Sequence, residues 1–158
     1  MMSNCCEDQE LTEAIRGCIK DRATWFYLLY KEAQRLGTDA DEMAAKAIFK
    51  AGQLKSAKAG MCETPREFFD WLSGKNTRLA FAMEEINVGE NEGMYRFHKC
   101  ALCDAWRELG CSAEEVKHLC DLASEGDYGV VSAYPLDLKF NCTIADGSDY
   151  CEMIVTKK

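Results

Sequence analysis

The hydrophobic period of this chain first changes near residue 79, and that change limits the folds open to it. Before it, apolar residues return at steps of three, four or seven, which places them on one side of an α-helix. After it, stretches around Phe81, Met83 and around Tyr95, Phe97 alternate in steps of two, as half-buried strands do. Gly89-Glu90-Asn91-Glu92-Gly93 lies between those stretches as a hairpin loop, and Asp146-Gly147-Ser148 divides a second pair, Leu136 to Ala145 and Tyr150 to Thr156. The expected class is α+β: a helical N-terminal half plus a small antiparallel sheet of about four strands, with helices inserted between two hairpins.

Glu7 to Leu36 reads as one long helix whose stripe of Leu11, Ile15, Cys18, Trp25, Leu29 and Leu36 is expected to face the core, with Gly37 as the stop. Residues 1–7 read as a frayed tail on a single domain spanning 1–158. Arg22 falls inside the stripe, seven after Ile15 and seven before Leu29. A charge there is costly unless paired, so it is a snorkelling or ion-paired residue, or a holder of an anion such as a carboxylate. A second helix, capped at Thr38 or Asp39, runs to Ala59 with a small face of Ala44, Ala47, Ile48, Ala51 and Leu54, expected to pack on the first. Thr64-Pro65 opens a third helix through Leu72. Leu79 to Asn87 and Met94 to Lys99 are the first two strands. Ala101 to Leu109 and Ser112 to about Ser124 are helices, the latter opened by the capping box Ser112-Ala113-Glu114-Glu115, and a helical turn follows over Asp127 to Tyr134.

Composition narrows the function. The net charge of -8 repels phosphate backbones and argues against nucleic acid as a partner. No apolar run reaches the length that spans a bilayer, and the first residues lack the basic and apolar regions of a signal peptide. Ten cysteines in such a chain point to a reducing cytoplasm, where free thiols, metal ligation or thiol catalysis replace disulfides. Oligomeric state is not legible.

The densest cluster of reactive residue types is His98-Lys99-Cys100-Ala101-Leu102-Cys103. As a C-x-x-C, Cys100 and Cys103 carry little weight, because ten cysteines at random in this length give roughly 0.6 such pairs. Position carries more. Both thiols fall at a helix N-terminus, where the backbone dipole favours thiolate, and His98 on a continuing strand would share a face with Cys100. A thiolate beside an imidazole is an activated nucleophile. Cys120, on the apolar stripe of its helix, reads as core. His118 lies off that stripe and reads as exposed, and Asp127 follows Gly126 at an expected helix exit. Ligation of a metal or iron–sulfur group by Cys100, Cys103, Cys120 and Cys151 is a minor alternative, since no second C-x-x-C completes a set. Glycine-rich phosphate loops, G-x-S-x-G elbows and H-E-x-x-H helices are absent from the sequence.

Several short motifs occur in a familiar order: Asp21-Arg22-Ala23, Cys100 before Trp106-Arg107-Glu108-Leu109-Gly110, Leu119-Cys120, Gly126-Asp127, and Phe140-Asn141-Cys142-Thr143-Ile144-Ala145-Asp146-Gly147 before Cys151. From about Ile19 to the C-terminus the chain resembles the L-2-amino-thiazoline-4-carboxylic acid hydrolase family. The resemblance implies a small-molecule substrate, 2-aminothiazoline carboxylate, opened at its carbon–sulfur bond to N-carbamoyl-L-cysteine. On that resemblance Cys100, Cys120 and Asp127 are the catalytic candidates: a thiol to attack the amidine-like carbon and a carboxylate for acid/base work. Arg22, His98, Thr143 and Cys151 are candidate substrate contacts, Arg22 for the carboxylate, and no cofactor is expected. Ser148 after Gly147, and Cys142 before Thr143, depart from the family's pattern. The competing readings are a non-catalytic ligand- or metal-binding module of the four-vinyl-reductase type and, more remotely, a thiol redox protein without the β-α-β frame such proteins use.

Overall fold

The structure, a computed structural model, describes residues 3–158, with side chains from Glu7 onward. Helix α1 spans Ser3–Arg35. Of the tail expected over residues 1–7, residues 1 and 2 lie outside the described residues. Helices α2 (Ala40–Ala59), α3 (Pro65–Leu72) and α4 (Lys75–Phe81) follow, then strands β1 (Met83–Val88) and β2 (Glu92–Phe97). Helices α5 (Ala101–Glu108) and α6 (Ala113–Val131) come next, then β3 (Leu136–Cys142), a 3-10 turn at Ile144–Asp146 and β4 (Cys151–Lys157). The protein is α+β, with one four-stranded antiparallel sheet in the order β1-β2-β4-β3. Among the described residues no helix is long and apolar enough to cross a membrane.

Local capping explains most boundaries. The Asp39 carboxylate accepts from the Glu42 N–H at 2.9 Å to start α2, and Thr64 does the same for Glu67 at 3.2 Å ahead of Pro65. Ser112 and Glu115 bond reciprocally at 3.1 and 3.0 Å, the capping box that opens α6.

Three expectations are corrected by tertiary packing. The stripe of α1 assigned to the core is on the surface: Trp25 is 72% exposed, Leu29 62% and Leu36 63%. The buried face is instead Ala23, Tyr30 and Ala33, with Phe26 and Tyr27 packed beside them. The small Ala23 lets α5 approach so closely that the buried Trp106 indole N–H donates to the Ala23 carbonyl at 3.1 Å. A face of Trp and Leu would hold the two helices apart.

Second, Leu79 to Phe81 are helical rather than strand. Helix α4 ends on Ala82 in a left-handed conformation (φ 47°), and the Arg16 guanidinium from α1 takes up the Ala80 and Leu79 carbonyls at 2.8 and 3.1 Å. The partner that satisfies this helix end is more than sixty residues away in sequence and leaves no local signal.

Third, α6 does not stop near Ser124. It runs through Gly126 and Gly129 because those glycines are contact points, not breakers. Helix α2 packs chiefly on α6. An added Cβ at Gly52 would meet the Gly126 carbonyl oxygen at 2.1 Å, and one at Gly129 would meet the Phe49 carbonyl oxygen at 2.1 Å. The small face expected to join α2 to α1 is consequently turned elsewhere: Ala47, Ala51 and Leu54 are exposed.

Two apolar cores result. One lies among α1, α2, α5 and α6 around Trp106, Val116 and Leu119. The other lies under the sheet, where Tyr95, Phe97, Met153 and Val155 pack on α3, with Phe69 stacked on Tyr95 at 4.6 Å between ring centroids. Cys100 packs against the first core and Cys151 against the second, so the segment joining β2 to α5 sits where the cores meet.

Candidate active site

Strand β2 ends at Phe97, and its last paired residue faces Cys151 of β4. The chain then leaves the sheet, with the His98 and Lys99 amides donating to the Ala82 and Phe81 carbonyls, and enters α5 at Cys100. Cys100 is the N-cap residue, in an extended conformation (φ −136°, ψ 98°). Its sulfur makes no side-chain cap bond of the usual geometry. It is nonetheless held toward the thiolate, first by the Cys103 thiol, then by the backbone N–H groups of Cys103 and Leu102. These outweigh burial, which pushes the other way, and bring the Cys100 thiol down to about 7.

Cys103 is fully buried one turn on, and its thiol lies between the sulfurs of Cys100 and Cys120. Its single S–H serves one of the two sulfurs at a time, and together with burial this holds Cys103 firmly in the protonated form. The Cys151 sulfur accepts from the Ile144 N–H at 3.2 Å, and burial pushes its thiol up to about 12, with Cys100 and Cys120 also within electrostatic reach. The fold thus draws four thiols from β4, α5 and α6 to one place. Sequence weighting kept Cys100 and set Cys103 aside; the structure makes Cys103 the link of the group. Among the described residues no three His, Cys, Asp or Glu groups are disposed to hold a metal ion.

His98 does not join them. With the strand ended at Phe97, the alternation that would aim it beside Cys100 is lost. Its Nε2 lies 2.8 Å from the Glu84 carboxylate, and its ring stands edge-on to Tyr150 at 5.8 Å. Arg96 covers the same Tyr150 ring at 4.4 Å and bonds Glu152 at 2.8 Å, so His98 belongs to a polar row across the sheet surface. Thr143 caps the 3-10 turn, accepting from the Asp146 N–H at 3.2 Å and donating to the Asp146 carboxylate at 2.8 Å.

Asp127 lies within α6, seven residues after Cys120 and therefore on the same side of the helix, roughly 10 Å further along. Its carboxyl is surrounded by protein while keeping some solvent contact, and it has no hydrogen-bond partner among the described residues. Desolvation pushes it up to about 6, opposed by the nearby charges of Lys55 and Arg22. Arg22 is exposed on α1 rather than buried, without an ion-pair partner among the described residues. Asp127, Arg22 and Lys55 thus form a second polar group, from α6, α1 and α2. Lys55 carries no motif in the sequence and becomes visible only through the α2–α6 crossing.

Sequence reasoning also missed a third constellation. The Tyr30 hydroxyl donates to Asp41 at 2.5 Å, His118 Nε2 lies 2.9 Å from the same oxygen, and Gln34 donates to Tyr30 at 3.1 Å. His118 and Asp41 are exposed, and the set ties α1, α2 and α6 together at the surface.

A helical layer thus lies on a small antiparallel sheet, with a thiolate-prone cysteine at their junction and a partly buried carboxyl beyond it. The family model described as L-2-amino-thiazoline-4-carboxylic acid hydrolase matches residues 18–155, and the chain belongs to that family. Among curated proteins, none matches it. Among solved structures it is similar to the phenol-responsive sensory domain of the transcription activator PoxR, solved with phenol. The TM-score is 0.53 at 13% identity, over 85% of this chain and 73% of that one, a likeness of fold.

Proposed function

We propose that the protein is a small hydrolase opening a cyclic carbon–nitrogen/carbon–sulfur substrate of the 2-aminothiazoline carboxylate type, with Cys100 as the nucleophile. The observation that carries this reading is the Cys100 sulfur at the N-terminus of α5, brought down to about 7 by the Cys103 thiol and two backbone amides. The Cys100 thiolate adds to the ring carbon between nitrogen and sulfur, and the ring carbon–sulfur bond breaks, its electron pair leaving on the substrate sulfur, which takes a proton. Water then adds to the same carbon and loses a proton, and the Cys100–carbon bond breaks to return the thiolate. The sum is substrate plus water giving N-carbamoyl-cysteine. Asp127, titrating near neutrality roughly 10 Å along α6 from Cys120, carries protons through intervening water rather than by direct contact with the thiol group, and Arg22 with Lys55 supplies positive charge that draws the substrate carboxylate to that end of the site. Cys120 and Cys151 wall the thiol group, Thr143 lies on the adjoining turn, and His98 enters only through the sheet surface it shares with Tyr150.

The test is release of a new thiol from 2-aminothiazoline-4-carboxylate under reducing conditions, by parent protein and by Cys100→Ala. Turnover by the parent that is lost in the variant is expected. Equal turnover in both removes Cys100 as the nucleophile, and no turnover by either removes the reaction.

One observation favours a second reading, a non-catalytic small-ligand module like the sensory domain named above. His98 is engaged by Glu84 and Tyr150, so no imidazole stands beside Cys100 to serve as base. Saturable binding of the aminothiazoline by calorimetry, without product, would decide for that reading.

A further inference from the structure

The exposed stripe of α1 has a spacing that a lone surface helix does not need. From Cys18 onward its positions are Cys18, Arg22, Trp25, Leu29, Glu32 and Leu36, in alternating steps of four and three. That 3.5-residue period is the pattern of a seam made to meet another helix. The stripe continues onto Leu36, whose N–H still bonds the Glu32 carbonyl at 3.0 Å. Cys18 to Leu36 covers about 27 Å of helix. Leu28, beside the seam, is itself 56% exposed and widens it.

The two charged members identify the occupant. Arg22 and Glu32 are equally distant from residue 27. In a two-fold antiparallel pairing centred there, each Arg22 meets the other copy's Glu32, each Trp25 meets a Leu29, and each Cys18 meets a Leu36. A parallel pairing sets Arg22 against Arg22 and Glu32 against Glu32, which like-charge repulsion disfavours. A seam whose charges complement those of its own reversed copy fits a second copy of this chain better than an unrelated helix. The ion pair of Glu32 with Arg35 on its own helix, at 2.5 Å, leaves the carboxylate on the surface and able to receive a second guanidinium.

We infer that two copies of this chain associate through the α1 seam as an antiparallel helix pair, with Arg22 of each copy against Glu32 of the other. The inference draws on Arg22, which the hydrolase reading gives to the substrate carboxylate, so in the dimer that charge falls to Lys55; its readout is mass in solution, and the failure of either reading is seen separately.

Sedimentation velocity on the full chain at tens of micromolar is the test, with folding of each variant checked by circular dichroism. The parent is expected to be a dimer. Leu29→Glu should give a monomer, and Glu32→Arg should weaken self-association by at least about tenfold. The double variant Arg22→Glu, Glu32→Arg restores the opposite charges and should recover the dimer. A monomeric parent, a dimer insensitive to Leu29→Glu, or a double variant no better than Glu32→Arg overturns the inference.

Discussion

Replacing Cys103 by alanine is expected to raise the pH at which Cys100 becomes a thiolate. In the native protein the Cys103 thiol is the largest influence lowering Cys100, ahead of the α5 backbone amides, and burial works against both. With Cys100 titrating at about 7, half of it is thiolate at neutral pH, whereas an ordinary thiol near 8.5 is about 3% ionised there. That is roughly sixteenfold more thiolate. Each such thiolate is a weaker nucleophile by about fivefold, since nucleophilicity follows basicity with a coefficient near 0.5. The net gain in rate at pH 7 is therefore only about threefold, and the midpoint of the pH profile is the sharper observable. Short pulses of iodoacetamide between about pH 5 and 10, read from the peptide Cys100–Arg107 by fragment mass spectrometry, give that midpoint for the native protein and for Cys103→Ala. Loss of the donor leaves burial less opposed, so the midpoint should move upward. An unchanged or lowered midpoint in Cys103→Ala, or an ordinary thiol midpoint in the parent, refutes the account of Cys103 as donor.

Two further expectations concern stability. Gly129→Ala places a methyl group 2.1 Å from the Phe49 carbonyl oxygen and must part α2 from α6, an overpacking cost of about 1–3 kcal/mol that outweighs the helix-propensity gain of about 1 kcal/mol. Gly17→Ala on α1, where an added Cβ meets nothing within 4 Å, keeps the gain without the clash, so urea denaturation should move the two variants in opposite directions. Asp127 has a folded value near 6 against an ordinary carboxyl near 4, so the folded state binds more protons between those values and stability falls as pH rises through that window. Asp127→Asn should accordingly be more stable than the parent at pH 8, by up to about 3 kcal/mol, and equal to it below pH 4; the same difference at both pH values contradicts the desolvation argument.

The elements legible in the sequence are those with local causes. Thr64-Pro65 and Ser112 with Glu115 mark helix starts because their bonds close within four residues, and the structure keeps both. The change of period near residue 79 separates the N-terminal helices from the first hairpin to within a few residues for a similar reason. What failed depended on distant partners. Arg16 supplies the cap that makes α4 a helix, and Phe49 is the neighbour that explains Gly129. On α1 both faces carry apolar residues; the one that packs sets Ala23 and Ala33 among Phe26, Tyr27 and Tyr30, while the face of Trp25, Leu29 and Leu36 stays out. The site divides in the same way. The placement of Cys100 at a helix start is local and readable. The thiol link through Cys103 to Cys120, and the company of Asp127 with Lys55, depend on how α2, α5 and α6 cross.

Strand β4 follows the other three strands in sequence and lies between β2 and β3 rather than at an edge. Until it pairs, the first hairpin and the third strand are unpaired along their inner sides, waiting for the seven residues of β4. Those residues begin with Cys151, the thiol opposite Phe97 and within electrostatic reach of Cys100. Completion of the sheet and arrival of Cys151 at the thiol group are thereby one event. A chain whose β4 has not paired has open strand edges and an incomplete thiol group together, so quality control that recognises the one meets the other.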